Sequence, residues 1–266
     1  LIFTSHHILM DGWSTPLLLN ELFTLYEKGA EAAAELPHVT PWRDYVKWLG
    51  ARDDKAAETA WKEAFKGFDE PARLAPVPTR GAVPQTMHRA IPDDLITSMQ
   101  NRARELGVTM NTLVQAAWGL VLGHLTHRHD VAFGSIVDGR PADLAGVEQM
   151  IGLFINSVPV RMRWRPEMAA STLLRELQAG QAGLMDHQHL GLSQIQQAVA
   201  QAELFDSLVV FENFPVAGPG ESDDTIGALR VERHSNHGGD TSHYAASLAI
   251  LPGTTYHAKL AWRSDL

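Results

Sequence analysis

Cysteine is absent from the 266 residues, which excludes disulfides, thiolate nucleophiles and cysteine-ligated metals. That absence fits a reducing cytoplasm. Also missing is any run able to span a bilayer, since the most apolar stretch, 113–125, is too short and holds Gln115 and His124. No basic flank with a long apolar core marks a secretory signal, because the sequence opens directly as LIFTSHH. Positive charge is scarce: 22 Lys and Arg stand against 31 Asp and Glu, a net charge of −9. Such a chain lacks the electrostatic footprint for nucleic acid or an anionic membrane. Internal repeats and low-complexity tracts are missing too. What is present is 45% hydrophobic and 20% charged residues, enough to bury a large core and too apolar for general disorder.

Patterning predicts a chain of mixed elements. Residues 1–4 read as a buried strand with nothing before it, as if the front of a longer domain were cut away. A helix follows, with Ser14 as its cap, Pro16 in its first turn, and Leu18, Leu22 and Leu25 on one face, ending at Gly29. One further helix is expected over 41–66. Residues 69–84 hold four prolines and a glycine and read as a linker between two lobes. Beyond it, strands are expected over 85–91, 130–137, 157–164, 208–212, 230–234, 242–251 and 255–262. Helices are expected over 92–106, 110–125, 171–185 and 192–200, the second of them apolar almost all round and hence buried. The sum is an α/β sandwich with a mixed sheet.

The chemistry is concentrated in His6-His7-Ile8-Leu9-Met10-Asp11-Gly12, between the first strand and the Ser14 helix. Imidazole accepts and returns a proton near neutral pH. Asp11 can anchor a turn by accepting hydrogen bonds, and Gly12 admits backbone conformations that a side chain forbids. A lone histidine is more often a satisfied core residue, but an ordered set of His, His, Asp and Gly is much rarer by chance. Metal ligation by His6, His7 and Asp11, or by His234, His237, Asp240 and His243, is the weaker reading. Thirteen histidines make such spacings common, and 236–239 reads as a loop tip.

HHILMDG resembles the HHxxxDG signature of condensation domains of nonribosomal peptide synthetases, relatives of chloramphenicol acetyltransferase. Asp130-Val131-Ala132-Phe133-Gly134 with Gly139-Arg140-Pro141 is similar to that family's DxxFG…GRP segment. The run from Met150 to Arg161 is similar to its GLFxNxxPxR segment. His187-Gln188-His189 with the following LGLSQIQ, and then 205–213, come in family order. The resemblance covers nearly the whole chain. It implies a chloramphenicol acetyltransferase-like two-layer sandwich, divided into residues 1–76 as the remnant of an N-terminal lobe and 77–266 as the C-terminal lobe.

The same resemblance implies peptide-bond formation between a carrier-bound donor thioester and the amine of a carrier-bound aminoacyl acceptor. His7 would be catalytic, with His6, Asp11 and Gly12 structural and the backbone near Gly12 an oxyanion donor. Trp13, Asp138, Asn156 and Ser247 would line the substrate channel. For Asn156 a second reading stands beside this one, that it merely satisfies backbone. The chain itself would bind neither cofactor nor metal, its substrates arriving on 4′-phosphopantetheine arms. Partners would be upstream and downstream peptidyl carrier domains and an adjacent adenylation domain, with no nucleic acid and no membrane.

There are departures from the family pattern. Asp138 stands where the family has a small serine, and Ala245-Ala246 replace Pro-Leu. The arginine that pairs with the motif aspartate belongs to the family's upstream part, so Asp11 is expected to lack its partner. An epimerisation domain and a non-catalytic docking module of the same fold are the alternatives. Trp13-Ser14-Thr15 favours condensation over epimerisation, an intact motif favours catalysis over docking, and the histidines exclude cyclisation variants. Within the family the sequence is closest to amino-acyl condensing types, leaning toward a D-configured donor.

Overall fold

Alternating burial builds the central strand. In β2 (Asp130–Val137), Val131 and Phe133 join one hydrophobic core while Ala132 joins another on the opposite face, as the period of two in a pleated strand requires. The computed structural model describes residues 2–75, 84–212, 224–226, 229–231 and 243–266. Contacts gather the chain into two interleaved units. One comprises Leu1–Arg52, Asp138–Ile155 and Phe214–His237; the other comprises Asp53–Val137, Asn156–Asn213 and Gly238–Leu266.

The larger unit is built on a six-stranded sheet. Its strands are β1 (Pro84–Ala90), β2, β3 (Asn156–Arg163), β4 (Ser207–Phe211), β7 (Ala246–Leu251) and β8 (His257–Arg263), in the order β1-β8-β7-β4-β2-β3. β2 and β4, and β4 and β7, run parallel, while the other neighbours are antiparallel, so the sheet is mixed as expected. Helices α4 (Asp93–Leu106), α5 (Met110–Thr126) and α6 (Ala170–Leu184) bury Ala103, Leu122, Leu173 and Leu177 against one core. The second core takes Ala57 and Trp61 of α3 (Asp54–Ala64) and Ile195 of α7 (Leu192–Ala198). Arg161 ties α3 to the sheet: it forks onto Asp130 at 2.8 and 2.6 Å and donates to the carbonyls of Ala64 and Lys66.

The smaller unit holds α1 (Ser14–Lys28), α2 (Trp42–Gly50) and a two-stranded ribbon, β5 (Asp224–Ile226) with β6 (Leu229–Val231). Its core is Tyr45, Val147, Met150 and Phe154, joining α2 to the 138–155 excursion.

Several sequence expectations change here. Residues 2–6 form no strand and are exposed, because no described residue offers them a ladder partner and an apolar run alone does not make a strand. The expected 41–66 helix is two helices, broken where Ala51 ends α2 and Asp53 caps α3 by accepting from Ala56 N at 3.0 Å. Ser14 is the first residue of α1 rather than its cap. α5 is not buried all round: Leu120, Val121 and Leu125 are exposed. Val121 and Leu125 border a cavity of about 680 Å³ that none of the expected site residues lines. Residues 53–75, inside a first lobe drawn at 1–76, pack with the larger unit. Most of the expected linker's second half, the rest of the 230–234 strand, and His234, His237 and Asp240 lie outside the described residues.

Candidate active site

The motif turn is shaped by its own side chains before any distant residue acts. His6 Nδ1 accepts from Ile8 N at 3.1 Å, capping a single 3-10 turn over His7–Leu9. An accepting Nδ1 places the proton of the neutral ring on Nε2. His7, in that turn, is exposed and has no side-chain hydrogen bond among the described residues. Asp11 N then donates to Gly152 O at 3.1 Å, and Asp11 Oδ1 accepts from Ser14 N at 3.0 Å. Asp11 therefore serves the N-terminus of α1, the work the sequence assigned to Ser14. Gly12 and Trp13 are half-buried between them.

Ser14 and Asp11 are both buried, and each faces the 138–155 excursion. Ser14 Oγ lies 2.8 Å from Asp11 Oδ1 and 2.9 Å from Gly152 O; its one proton serves either acceptor, and it accepts from Gly152 N at 3.1 Å. Asp11 Oδ2 accepts from Phe154 N at 3.1 Å. Arg140 completes the network. Its Nη2 reaches Asp11 Oδ1 at 3.3 Å and Ser14 Oγ at 3.2 Å, Nη1 donates to the carbonyls of Val147 and Met150, and the guanidinium lies 3.9 Å over the Phe154 ring. The side chains of Arg140 and Asp11 are 3% and 1% exposed.

This overturns the expectation that Asp11 lacks a cation in this chain. A buried carboxylate requires a paired charge and hydrogen bonds, and the GRP segment brings both. Gly139 makes the approach possible: it has φ +68°, and a Cβ there would strike the carbonyl of Phe154.

Asp138 lies at the rim of this network. Arg140 Nε stands 3.7 Å from its Oδ1, and the carboxyl is 64% exposed. Burial pushes this carboxyl above the usual aspartate range; Arg140 pulls it down and Asp11 pushes it up again. Burial likewise raises the phenol of neighbouring Tyr45.

Two expected channel residues belong to the larger unit. Asn156 donates from Nδ2 to Gln188 O at 2.7 Å and to Leu190 O at 2.8 Å, and its Oδ1 accepts from Ser157 N at 2.9 Å. It thereby clasps the turn containing His189, whose neighbouring His187 carbonyl accepts from Trp61 Nε1 at 3.0 Å. Those bonds are the backbone-satisfying role left open for Asn156. Ser247 is half-buried in β7, in register with Leu208 and Ala261. Among the described residues no three His, Asp or Glu side chains converge on a metal-sized site. Sequence reasoning missed Arg140, Ser14 and Phe154 as members of the motif's network. The sequence showed that the GRP segment carries a cation, but not which carboxylate that cation reaches.

Comparison with known proteins adds the following. A family model described as Condensation domain matches residues 1–266. Chondramide synthase cmdD of Chondromyces crocatus is 36% identical over 266 residues, covering 96% of this chain and 7% of that protein. Surfactin synthase subunit 3 of Bacillus subtilis (strain 168) is 31% identical over 270 residues, covering 100% of this chain and 21% of that protein. The chain thus spans a small part of the curated relatives it matches. Among solved structures, the first condensation domain of the calcium-dependent antibiotic synthetase in complex with substrate analogue 2a is similar with a TM-score of 0.72 at 16% identity, over 98% of this chain and 60% of that one. The X-domain from teicoplanin biosynthesis is similar with a TM-score of 0.74 at 19% identity, over 98% and 63%. At such identities the likeness shows the fold, the chloramphenicol acetyltransferase-like α/β architecture expected from the sequence.

Proposed function

We infer, from the premise that this chain belongs to the condensation-domain family, that it forms peptide bonds in nonribosomal synthesis. It joins a donor acyl or peptidyl thioester on an upstream carrier to the amine of an aminoacyl group on a downstream carrier. The observation that supports this reading is the division of work in the motif turn. Asp11 is consumed by the buried network and His6 by the turn itself, while His7 is left exposed with an imidazole that no described neighbour engages.

The nitrogen of the acceptor attacks the thioester carbonyl, the carbon–sulfur bond breaks, and the thiol leaves with a proton. An α-amine with pKa about 7.8 is roughly one-third free base at pH 7.5, so prior deprotonation is worth under about 1 kcal/mol. The proton becomes strongly acidic only after attack, when nitrogen carries positive charge. His7 Nε2 orients the amine and takes that proton late, assistance typically worth about 10²–10⁴-fold. Tethering of both substrates supplies much of the rest. The N–H groups of Gly12 and Trp13 have no protein acceptor among the described residues, which suits them to an oxyanion. Trp13, Asp138 and Ser247 face substrate, whereas Asn156 supports the His189 turn. Carrier domains and an adenylation domain are the partners, 4′-phosphopantetheine arms deliver the substrates, and the setting is cytoplasmic.

The test uses the synthetase that carries this chain, with both carriers loaded. His7→Ala is expected to lower the condensation rate at least about a hundredfold while leaving carrier loading unchanged. A near wild-type rate would remove His7 from the chemistry. A wild-type protein that forms no peptide but exchanges the donor's α-proton would be an epimerisation domain instead.

A further inference from the structure

We propose that Asp138 recognises the primary ammonium of the acceptor, an inference that rests on the condensation reading above. Two carboxylates share one guanidinium here. Asp11 takes the charge of Arg140 from the buried side, where it also accepts from Ser14 N and Phe154 N. Four of the five N–H groups of Arg140 face Asp11, Ser14 Oγ and the Val147 and Met150 carbonyls. Only Nε remains, buried and without a hydrogen bond, 3.7 Å from Asp138.

The charge balance of this cluster is therefore one negative in excess, and Asp138 is the member that meets solvent. No other cation among the described residues lies within ion-pair distance of it. Asp11 and Tyr45 are the titratable groups that act on it besides Arg140. Burial penalises this carboxylate, so an arriving cation relieves an existing cost.

The acceptor brings the matching charge. Its α-amine is largely ammonium near pH 6.5, and after attack on the thioester the nitrogen is positive again. A carboxylate at this place thus favours both arrival of the acceptor and the tetrahedral intermediate. A lysine-type side chain would offer the same group from another source.

The experiment measures binding by calorimetry at pH 6.5, so that no turnover is needed. Three non-hydrolysable pantetheine amides are compared: alanyl, with a free α-amine; N-acetylalanyl, neutral; and Nα-acetyl-lysyl, with only a side-chain ammonium. Wild-type protein is expected to bind the alanyl compound about fivefold more tightly than its acetylated form, a preference that weakens with salt. Asp138→Asn and Asp138→Ser should bring the two within about twofold, and Asp138→Glu should keep the preference, with folding of each variant checked by its melting curve. Preference for the lysyl compound over N-acetylalanyl, again lost in Asp138→Asn, would support the ammonium contact and assign it to the side chain. Equal affinities in wild-type protein, or a preference that survives Asp138→Asn, would overturn the proposal. Absence of condensation with loaded carriers would instead sink the functional reading, and the binding comparison would still stand by itself.

Discussion

Asp11 sits almost wholly out of water, and its charge is held by groups that the fold brings from 129 residues away and more. Removing one partner of a buried pair typically costs about 3–5 kcal/mol, because the other is left uncompensated. Asp11→Asn should therefore lower stability in this chain by about 3 kcal/mol, with the buried Arg140 left only the 3.7 Å approach of Asp138 and the amide turning a donor toward neighbouring donors. Urea unfolding checks it, and a loss below about 1 kcal/mol would show that the pair contributes little. The motif turn itself was legible, since His, His, Asp and Gly are local. Arg140 as its partner was not, because spacing along the chain carries no record of which distant charge a buried carboxylate finds.

At the level of elements, the 138–155 excursion carries two aspartates of opposite character. Asp143 accepts from Trp48 Nε1 at 3.0 Å and from Arg52 Nη2 at 3.3 Å, and the indole bond first of all holds its carboxyl below the ordinary range. A depressed carboxylate contributes stability above its unfolded pKa and loses it as pH falls through the folded value. A raised one, such as Asp138, contributes below the unfolded value and loses it as pH rises through the folded one. At pH 7, Asp143→Asn should melt below wild type and Asp138→Asn at or above it. Both differences should fade toward about pH 3, where carboxyls are largely protonated. Melting curves across that range test the pair, and same-signed differences at pH 7 would contradict it. Regular elements were read well where burial alternates or repeats: β2 matches its expected bounds, and α4 and α5 fall within a residue of theirs. The 41–66 helix was misread because an apolar face runs across Arg52 and Asp53, and the capping aspartate was the signal that outweighed it.

Across the whole molecule, protection should follow the two units rather than a cut near residue 80. The smaller unit has a core of four buried side chains, whereas α3 inserts Ala57 and Trp61 into the sheet-backed core of the larger. Hydrogen exchange is expected to be fast in α1 and slow in β2, β3 and α5, with the change along the N-terminal part falling at 52–53. Equal protection of α1 and α3 would contradict that expectation. Sequence alone placed the change at the proline-rich stretch, because prolines mark irregular backbone but do not say which core the preceding helix joins.

The strand order also bears on how the chain is made. Among the described strands β1 pairs only with β8, so Pro84 waits for Arg263, and β7 gains β8 as a neighbour only when β8 arrives. Pairings of such long sequence separation form slowly, since loop closure must precede any gain. During synthesis, β1 would leave the ribosome long before its partner and remain an unpaired edge until β8 is added. A nascent chain paused before residue 257 would hold α4, α5 and the β2–β3 pair in place while its sheet stayed open on that side, a state exposed to misassociation.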